Sequence, residues 1–211
     1  MPTCRRREVT QVGTKVEKKM VPVPPERKPF LTARQVGLVA AFGGLGFAWR
    51  ALGLVIPLYP PYVLDIREVV NILGAVAGGP YVGIAIGILL ALPSGVPFAD
   101  LAYYPGSAIL FALMAKAIWP LKKPRQWIIM ILSVILIEYL WAMPSFAFML
   151  QVFGMAPFWP EYLASAFGGT GYIYTAIMIV ALALAIRMAP DFMKPTWSWR
   201  RGGEVYEEDK E

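Results

Sequence analysis

The sequence predicts an all-α, polytopic membrane protein with six transmembrane helices and an N-in/C-in topology, that is, with both termini in the cytoplasm. Three observations predict this fold. The 211-residue chain is 57% hydrophobic with a mean hydropathy of +0.54, and only 16% of its residues are charged. Between about 36 and 188 it consists of apolar runs that are each long enough, or nearly long enough, to cross roughly 30 Å of hydrocarbon. Lysine and arginine clusters follow every second run, as in cytoplasmic loops.

The six helices are delimited by proline and glycine. The predicted helices comprise 34–58, 64–77, 80–92, 105–119, 126–151 and 160–187. Prolines near several of the starts fit the first helical position, which needs no backbone N–H. Gly78, Gly79 and Pro80 leave so short a connection that helices two and three are predicted to form an antiparallel hairpin. The Pro- and aromatic-rich loops 57–65 and 93–104 are predicted to fold over the outer face.

The charge distribution sets the predicted topology and the domain limits. Basic residues gather in a cytoplasmic tail at 1–30, between helices four and five, and at the start of a second cytoplasmic tail at 191–211, whereas 31–190 is the transmembrane domain. The opposite loops carry mainly acidic residues, namely Asp65, Glu68, Asp100 and Glu161, against Arg67 alone. This pattern predicts a multi-pass protein of the cell membrane. The net charge of +6 favours anionic lipid over nucleic acid as a partner of the tails.

The composition argues against several kinds of catalytic and metal site. The chain has no histidine, which excludes a Ser-His-Asp triad, an H-E-x-x-H zinc motif and an imidazole metal site. The single cysteine, Cys4, lies in the charged N-terminal tail and supports neither a disulfide framework nor a metal site. There is no P-loop, so any use of ATP must come from partner subunits. We therefore expect no catalytic residues, no metal and no cofactor.

A glycine- and proline-containing turn points to a known family. The motif G-G-P-x-x-G-x-x-x-G runs from Gly78 to Gly87 and is preceded by Asp65, Ile66 and Arg67. In a six-span protein of this size, the region 36–187 resembles the substrate-binding S component of an energy-coupling factor (ECF) vitamin transporter. The resemblance implies a subunit without catalysis of its own, which captures a small metabolite outside the cell. It also implies a transmembrane coupling subunit and paired ABC ATPases as partners.

Helix one carries small residues at a spacing of four, which the resemblance implies as the contact with the coupling subunit. Two such ridges are present: Ala33, Gly37 and Ala41 form one, and Ala40, Gly44 and Ala48 form the other. Small residues let helix backbones approach closely in lipid. The alternative explanation for both ridges is helix packing inside the bundle.

Glu138 is the first candidate for substrate binding, because a charged residue inside the membrane is costly and is therefore a functional candidate. It lies roughly 15 Å along helix five, near the midplane. Regular helical spacing places Trp141 and Ser145 on the same face, with Tyr139 adjacent. A carboxylate beside aromatic rings suits a flat, cationic or hydrogen-bond-donating heterocycle. Alternatively, Glu138 is protonated or pairs with a neighbouring helix through Lys116.

The remaining candidates lie on helices two and six and in the second outer loop. They are Arg67, Asn71, Tyr103, Tyr104, Ser165 and Tyr172. Each has a structural alternative. Asn71, the only asparagine, would form an interhelical hydrogen bond, and Arg67 would form a solvated surface pair with Glu68. The tyrosines of the loop belong either to an interfacial aromatic belt or to a lid, and helix six would use its small residues for packing.

These patterns together predict the substrate-capture subunit of an ATP-driven, ECF-type ABC importer for a water-soluble vitamin or related small heterocycle. The alternative is a non-transporting membrane scaffold of similar fold, like the MreD-like proteins of cell-shape machinery. Such a scaffold would need the small-residue ridges of helix one but no cavity for a solute.

Overall fold

The computed structural model describes residues 30–54, 56–59, 62–168 and 170–197. The regular structure of these residues is helical apart from one short β-hairpin. The predicted cytoplasmic tails fall mostly on 1–29 and 198–211, which lie outside the described residues. The predicted all-α class is thus confirmed for the described part of the chain.

The elements follow one another in a simple order. The helices are α1 (Ala33–Leu38 and Gly44–Ala51, joined by a π-helical turn at Val39–Gly43), α2 (Arg67–Gly78), α3 (Pro80–Ala91), α4 (Pro97–Ile118), α5 (Lys123–Ile137 and Met143–Val152, joined by a π-helical turn at Glu138–Ala142), α6 (Phe158–Phe167), α7 (Thr170–Met188) and α8 (Pro190–Met193). Between α1 and α2, β1 (Ile56–Tyr59) and β2 (Tyr62–Leu64) pair in antiparallel register.

Three of these helices are long and apolar enough to cross a membrane. They comprise Pro97–Ile118, Lys123–Val152 and Gly171–Met188. Helix α3 is also apolar but has only 12 residues, or about 18 Å at 1.5 Å per residue. The described residues thus have the helices expected of a membrane protein.

The first predicted helix is too long by about two turns. It ends at Ala51 rather than at 58, and Gly53 follows with a φ of +67°, which glycine reaches without strain. The next residues pair as β1 and β2, with Ile56 opposite Leu64. Proline cannot donate the backbone hydrogen bond that a continuing helix needs, and the Pro-, Tyr- and Val-rich composition favours extended structure.

The fourth predicted helix is too short at its start. Helix α4 begins at Pro97, eight residues before the predicted start at 105, and Pro105 lies inside it. Pro97 occupies the first turn, where no N–H partner is required. Most of the predicted second outer loop is therefore helical, and Tyr103 and Tyr104 are buried in the bundle instead of lying in a belt or a lid.

The predicted sixth helix is two helices. Helix α6 ends at Phe167, Gly168 follows, and α7 begins at Thr170. Glycine is the least favourable helix residue after proline, and Gly168 and Gly169 stand together at this break. Residues on both sides of the interruption line the same cavity, Glu161 and Ser165 from α6 and Gly171 and Tyr174 from α7.

The centre of the bundle is the predicted α2–α3 hairpin packed against α4. Its turn is at Gly79, which has a φ of +89°. At Gly87, α3 comes so close to α4 that a methyl group would lie 2.8 Å from the Pro105 nitrogen and 2.9 Å from the Tyr104 carbonyl carbon. Ile86 and Phe111 are buried in the same core. The spacing of glycines thus sets how closely the two backbones approach.

The two ends of the described chain meet at one end of the bundle. The Arg34 guanidinium donates to the Phe192 carbonyl oxygen (2.7 Å), and the Gln35 side chain donates to the Gly78 carbonyl oxygen (3.2 Å). Trp197, at the start of the predicted cytoplasmic tail, is buried against Gly79.

Gly87→Ala should destabilise the protein, because the added methyl group meets backbone atoms of α4 that cannot rotate away. We expect a loss of about 1–3 kcal/mol, the usual cost of overpacking, seen as a lower midpoint of thermal unfolding in detergent. Gly44→Ala is the matched control, since nothing lies within 4 Å of its added methyl group. Equal midpoints for the two variants would contradict the close approach of α3 and α4.

Candidate functional site

The bundle contains a cavity of about 300 Å³ that is lined by acidic and aromatic residues. The cavity is lined by residues of α2, α4, α5, α6 and α7 and by Asp65, two residues before α2. The lining residues are Asp65, Arg67, Glu68, Asp100, Tyr103, Tyr104, Glu138, Met143, Phe146, Glu161, Ser165, Gly171 and Tyr174. Five carboxyl groups thus face one guanidinium and three phenol rings.

Arg67 is the centre of a buried ion-pair cluster with Asp65 and Asp100. Its Nε lies 2.7 Å from Asp65 Oδ2, and its Nη1 lies 3.2 Å from Asp100 Oδ2. Nη1 also donates to the Leu90 carbonyl oxygen (2.6 Å), and the guanidinium stands 5.3 Å from the centre of the Tyr104 ring. Arg67 is only 5% exposed. The alternative of a solvated surface pair with Glu68 is therefore wrong, since the partners of Arg67 are two other acids.

Glu68 and Glu138, unlike Asp65 and Asp100, form no ion pair among the described residues. Glu138 is 1% exposed, and Oε2 of Glu68 is buried without a hydrogen-bond partner. Tyr103 lines the same cavity as both carboxyl groups. Among the described residues, the two ion pairs found are both those of Arg67, so neither glutamate has a basic partner there.

Lys116 does not pair with Glu138, contrary to the alternative raised from the sequence. Its ammonium group stands 4.8 Å from the centre of the Trp197 ring. Lys116 lies near the end of α4, whereas the cavity residues of that helix lie near its start. The 16 residues between Asp100 and Lys116 correspond to about 24 Å of helix.

The π-helical turn of α5 determines which residues join Glu138 in the cavity. The turn spans Glu138–Ala142, and its extra residue shifts every later side chain around the helix. Met143 and Phe146 line the cavity as a result. Pro144 lies two residues after the π-helical turn and has no N–H to donate to it. A missing donor of this kind is a common cause of such a distortion.

The predicted common face of Glu138, Trp141 and Ser145 is wrong for the same reason. Trp141 is 44% exposed and packs against Gly106 of α4, outside the cavity. The Ser145 hydroxyl donates to the Ala142 carbonyl oxygen of its own helix (2.9 Å). Both positions were derived from the spacing of a regular α-helix, which does not apply across a π-helical turn.

Three more predicted site residues lie outside the cavity lining. The Asn71 amide donates to the Tyr104 carbonyl oxygen (2.9 Å), so it makes the interhelical hydrogen bond that was its structural alternative. The rings of Tyr139 and Tyr172 stand 6.2 Å apart, with Tyr172 exposed. The structure brings five of the predicted site residues together in the cavity lining: Arg67, Tyr103, Tyr104, Glu138 and Ser165.

Several cavity residues were not among the predicted site residues. They are Asp65, Glu68, Asp100, Met143, Phe146, Glu161, Gly171 and Tyr174. The sequence contained a signal for four of them, because the acids Asp65, Glu68, Asp100 and Glu161 had all been assigned to the same side of the membrane. Their location on one side made a shared site possible, whereas the cavity lining contributed by α7 required the tertiary structure.

The small residues of α1 face away from the bundle. All six residues of the two predicted ridges are exposed, and nothing lies within 4 Å of a methyl group placed on Gly37 or Gly44. The packing glycines are instead Gly43 and Gly46, where a methyl group would collide with Leu89 and Leu90. Packing inside the bundle is thus ruled out as the explanation of either ridge.

No family model, curated protein or solved structure matched this chain. In the described part of the chain, no group of three or more His, Cys, Asp or Glu residues is placed to hold a metal ion. What the site can do must therefore follow from its own residues: the cavity is lined by acids and tyrosines, and its one arginine is paired with two of the acids.

Arg67→Gln should strongly destabilise the protein, because it leaves Asp65 and Asp100 buried without a countercharge. Breaking a buried pair by removing one partner costs about 3–5 kcal/mol, so the midpoint of thermal unfolding in detergent should fall markedly. The control is Arg187→Gln, at an exposed position near the end of α7. An unchanged midpoint for Arg67→Gln would show that the cluster does not hold the cavity wall.

Proposed function

We propose that this protein is the substrate-capture subunit of an ECF-type ABC importer, and that its cavity binds a small water-soluble metabolite of the vitamin class or a related heterocycle. The observation that carries the proposal is the cavity itself. Two carboxyl groups without a basic partner among the described residues border a cavity in a bundle whose core is mainly apolar. Such an arrangement costs stability and is characteristic of a binding site.

The position of the cavity in the bundle supports the proposal that it opens towards the outside of the cell. The start of α1, the Gly79 turn and α8 lie together at one end of the bundle. Arg67 and Asp100, at the starts of α2 and α4, lie at the other end. The basic connection after α4 is on the side of the chain ends, which the positive-inside rule assigns to the cytoplasm. We therefore propose six crossings, both termini inside, and a cavity in the outer half.

On this proposal the chain has no catalysis and holds no cofactor. ATP would be hydrolysed by partner ABC ATPases, and a transmembrane coupling subunit would contact the exposed small-residue face of α1. The face fits such a contact, because Gly37 and Gly44 leave room for a close helix–helix approach. A scaffold of the MreD-like kind would use the same face but would not need a polar cavity, so the cavity favours capture of a solute.

Mass spectrometry of small molecules released from the purified protein tests the capture function. We expect one stoichiometric compound from the wild type and none from Ser165→Phe, whose ring would fill the cavity. Ala176→Phe, on the exposed face of α7, is the control and should retain the compound. An empty wild-type protein that co-purifies with other membrane proteins would instead support the scaffold.

Gly44→Leu tests the coupling face. The leucine side chain would prevent close approach of a partner helix, so uptake by whole cells and co-purification of the coupling subunit should both be lost, while the released compound remains bound. Ala176→Leu is the control for an added side chain on a lipid-facing helix. If Gly44→Leu retains full uptake, the ridge of Ala40, Gly44 and Ala48 is not the contact, and Gly37→Leu then examines the other ridge.

A further inference from the structure

We propose that the ligand of the cavity is a small organic cation, held between the carboxyl groups of Glu68 and Glu138 and the surrounding aromatic rings. This inference rests on the proposed function and specifies its substrate class. Its basis is the charge balance of the cavity, the free hydrogen-bonding capacity of Glu68 and the aromatic lining.

The charge balance leaves the cavity short of positive charge. Arg67 is bonded to two carboxylates, so the cluster of Arg67, Asp65 and Asp100 already carries one excess negative charge. Glu68 and Glu138 add carboxyl groups without a basic partner in the described residues. Burying an ionised carboxylate without a countercharge is strongly unfavourable. A bound cation supplies the countercharge that the protein does not.

A hydrogen-bond acceptor without a partner belongs to a residue that lines the cavity. Oε2 of Glu68 is buried and has no partner, although Glu68 is a lining residue. Glu138 lines the same space from α5, so that the two carboxyl groups border one cavity. A ligand N–H⁺ group placed between them would donate charge-assisted hydrogen bonds to both sides.

The aromatic lining favours an organic cation over an inorganic one. The rings of Tyr103 and Tyr104 meet edge to face with centres 4.8 Å apart, and Phe146 stands 6.2 Å from Tyr103. Ring faces attract organic cations and also bury their apolar parts. The volume of about 300 Å³ lies at the lower end of the usual range for ligand sites. A single flat ring or small bicyclic system bearing an amino group fits these limits.

The same lining disfavours anionic solutes. A bound carboxylate would face five carboxyl groups, and the one guanidinium in the cavity is held by Asp65, Asp100 and the Leu90 carbonyl oxygen. Nε and Nη1 of Arg67 are thus engaged within the protein, and a ligand carboxylate could not take over their hydrogen bonds without breaking the cluster. The substrate class is therefore narrower than the whole range of water-soluble vitamins.

Three probes with one carbon skeleton test the inference on the wild-type protein, without any variant. Benzylammonium, benzyl alcohol and benzoate differ in charge and little in size. We expect benzylammonium to raise the midpoint of thermal unfolding in detergent at concentrations about tenfold lower than benzyl alcohol, as a charge-assisted hydrogen bond requires. Benzoate should have no effect. Equal stabilisation by all three, or stabilisation by benzoate, would overturn the inference.

Two variants then test whether Glu68 and Glu138 recognise the charge of the ligand. Glu68→Gln and Glu138→Gln preserve side-chain size, and each should raise the effective benzylammonium concentration about tenfold while leaving that of benzyl alcohol unchanged. Asp191→Asn, an exposed acid far from the cavity, should change neither. Unchanged benzylammonium binding in both glutamine variants would contradict their role.

The outcome for the released compound separates this inference from the proposed function. A neutral or anionic compound that Ser165→Phe loses would refute the cation and leave the capture function standing. A protein that releases no compound and responds to none of the three probes would refute both. A released cation that competes with benzylammonium would support both.

Discussion

The interaction on which the cavity depends is the buried cluster of Arg67 with Asp65 and Asp100. It ties the start of α2 to the start of α4 and, through the Leu90 carbonyl oxygen, to the end of α3. A guanidinium in apolar surroundings must satisfy its donors within the protein, and three different elements supply the acceptors. Because Nε and Nη1 of Arg67 are bonded within the protein, the guanidinium belongs to the cavity wall, and Glu68 and Glu138 line the space without a basic partner among the described residues.

Two π-helical turns place the functional surfaces. In α5 the turn at Glu138–Ala142 brings Phe146 into the cavity with Glu138 and turns Trp141 outwards. In α1 a similar turn spans Val39–Gly43. Gly43 and Gly46 pack on α3, whereas Gly37 and Gly44 face outwards. Such turns are frequent at functional sites because one extra residue redirects all side chains that follow. The proposed binding site and the proposed coupling face both lie beside one.

The tightly packed core and the cavity occupy different parts of the same helices. Glycines let α3 lie directly against the backbone of α4, and the α2–α3 hairpin closes against Trp197 at the end where the chain termini meet. The polar residues gather at the opposite end, where β1, β2 and the first turns of α4 lie. A rigid, close-packed core beneath a polar cavity is a suitable support for holding a small ligand between several helices.

The sequence by itself determined the membrane-protein class, the tight hairpin at Gly79, the location of the acids on one side and Glu138 as a buried polar residue. Composition, glycine–proline punctuation and charge asymmetry are local properties, so they can be read from the chain. Only the tertiary structure decided the partners of those charges: Arg67 pairs with two acids from separate segments, and Lys116 stands over the Trp197 ring and does not pair with Glu138. It also decided the neighbours of Glu138 along α5, because helical spacing assumes 3.6 residues per turn and the π-helical turn departs from it. Pairings between distant segments depend on how the helices pack, and local spacing does not encode them.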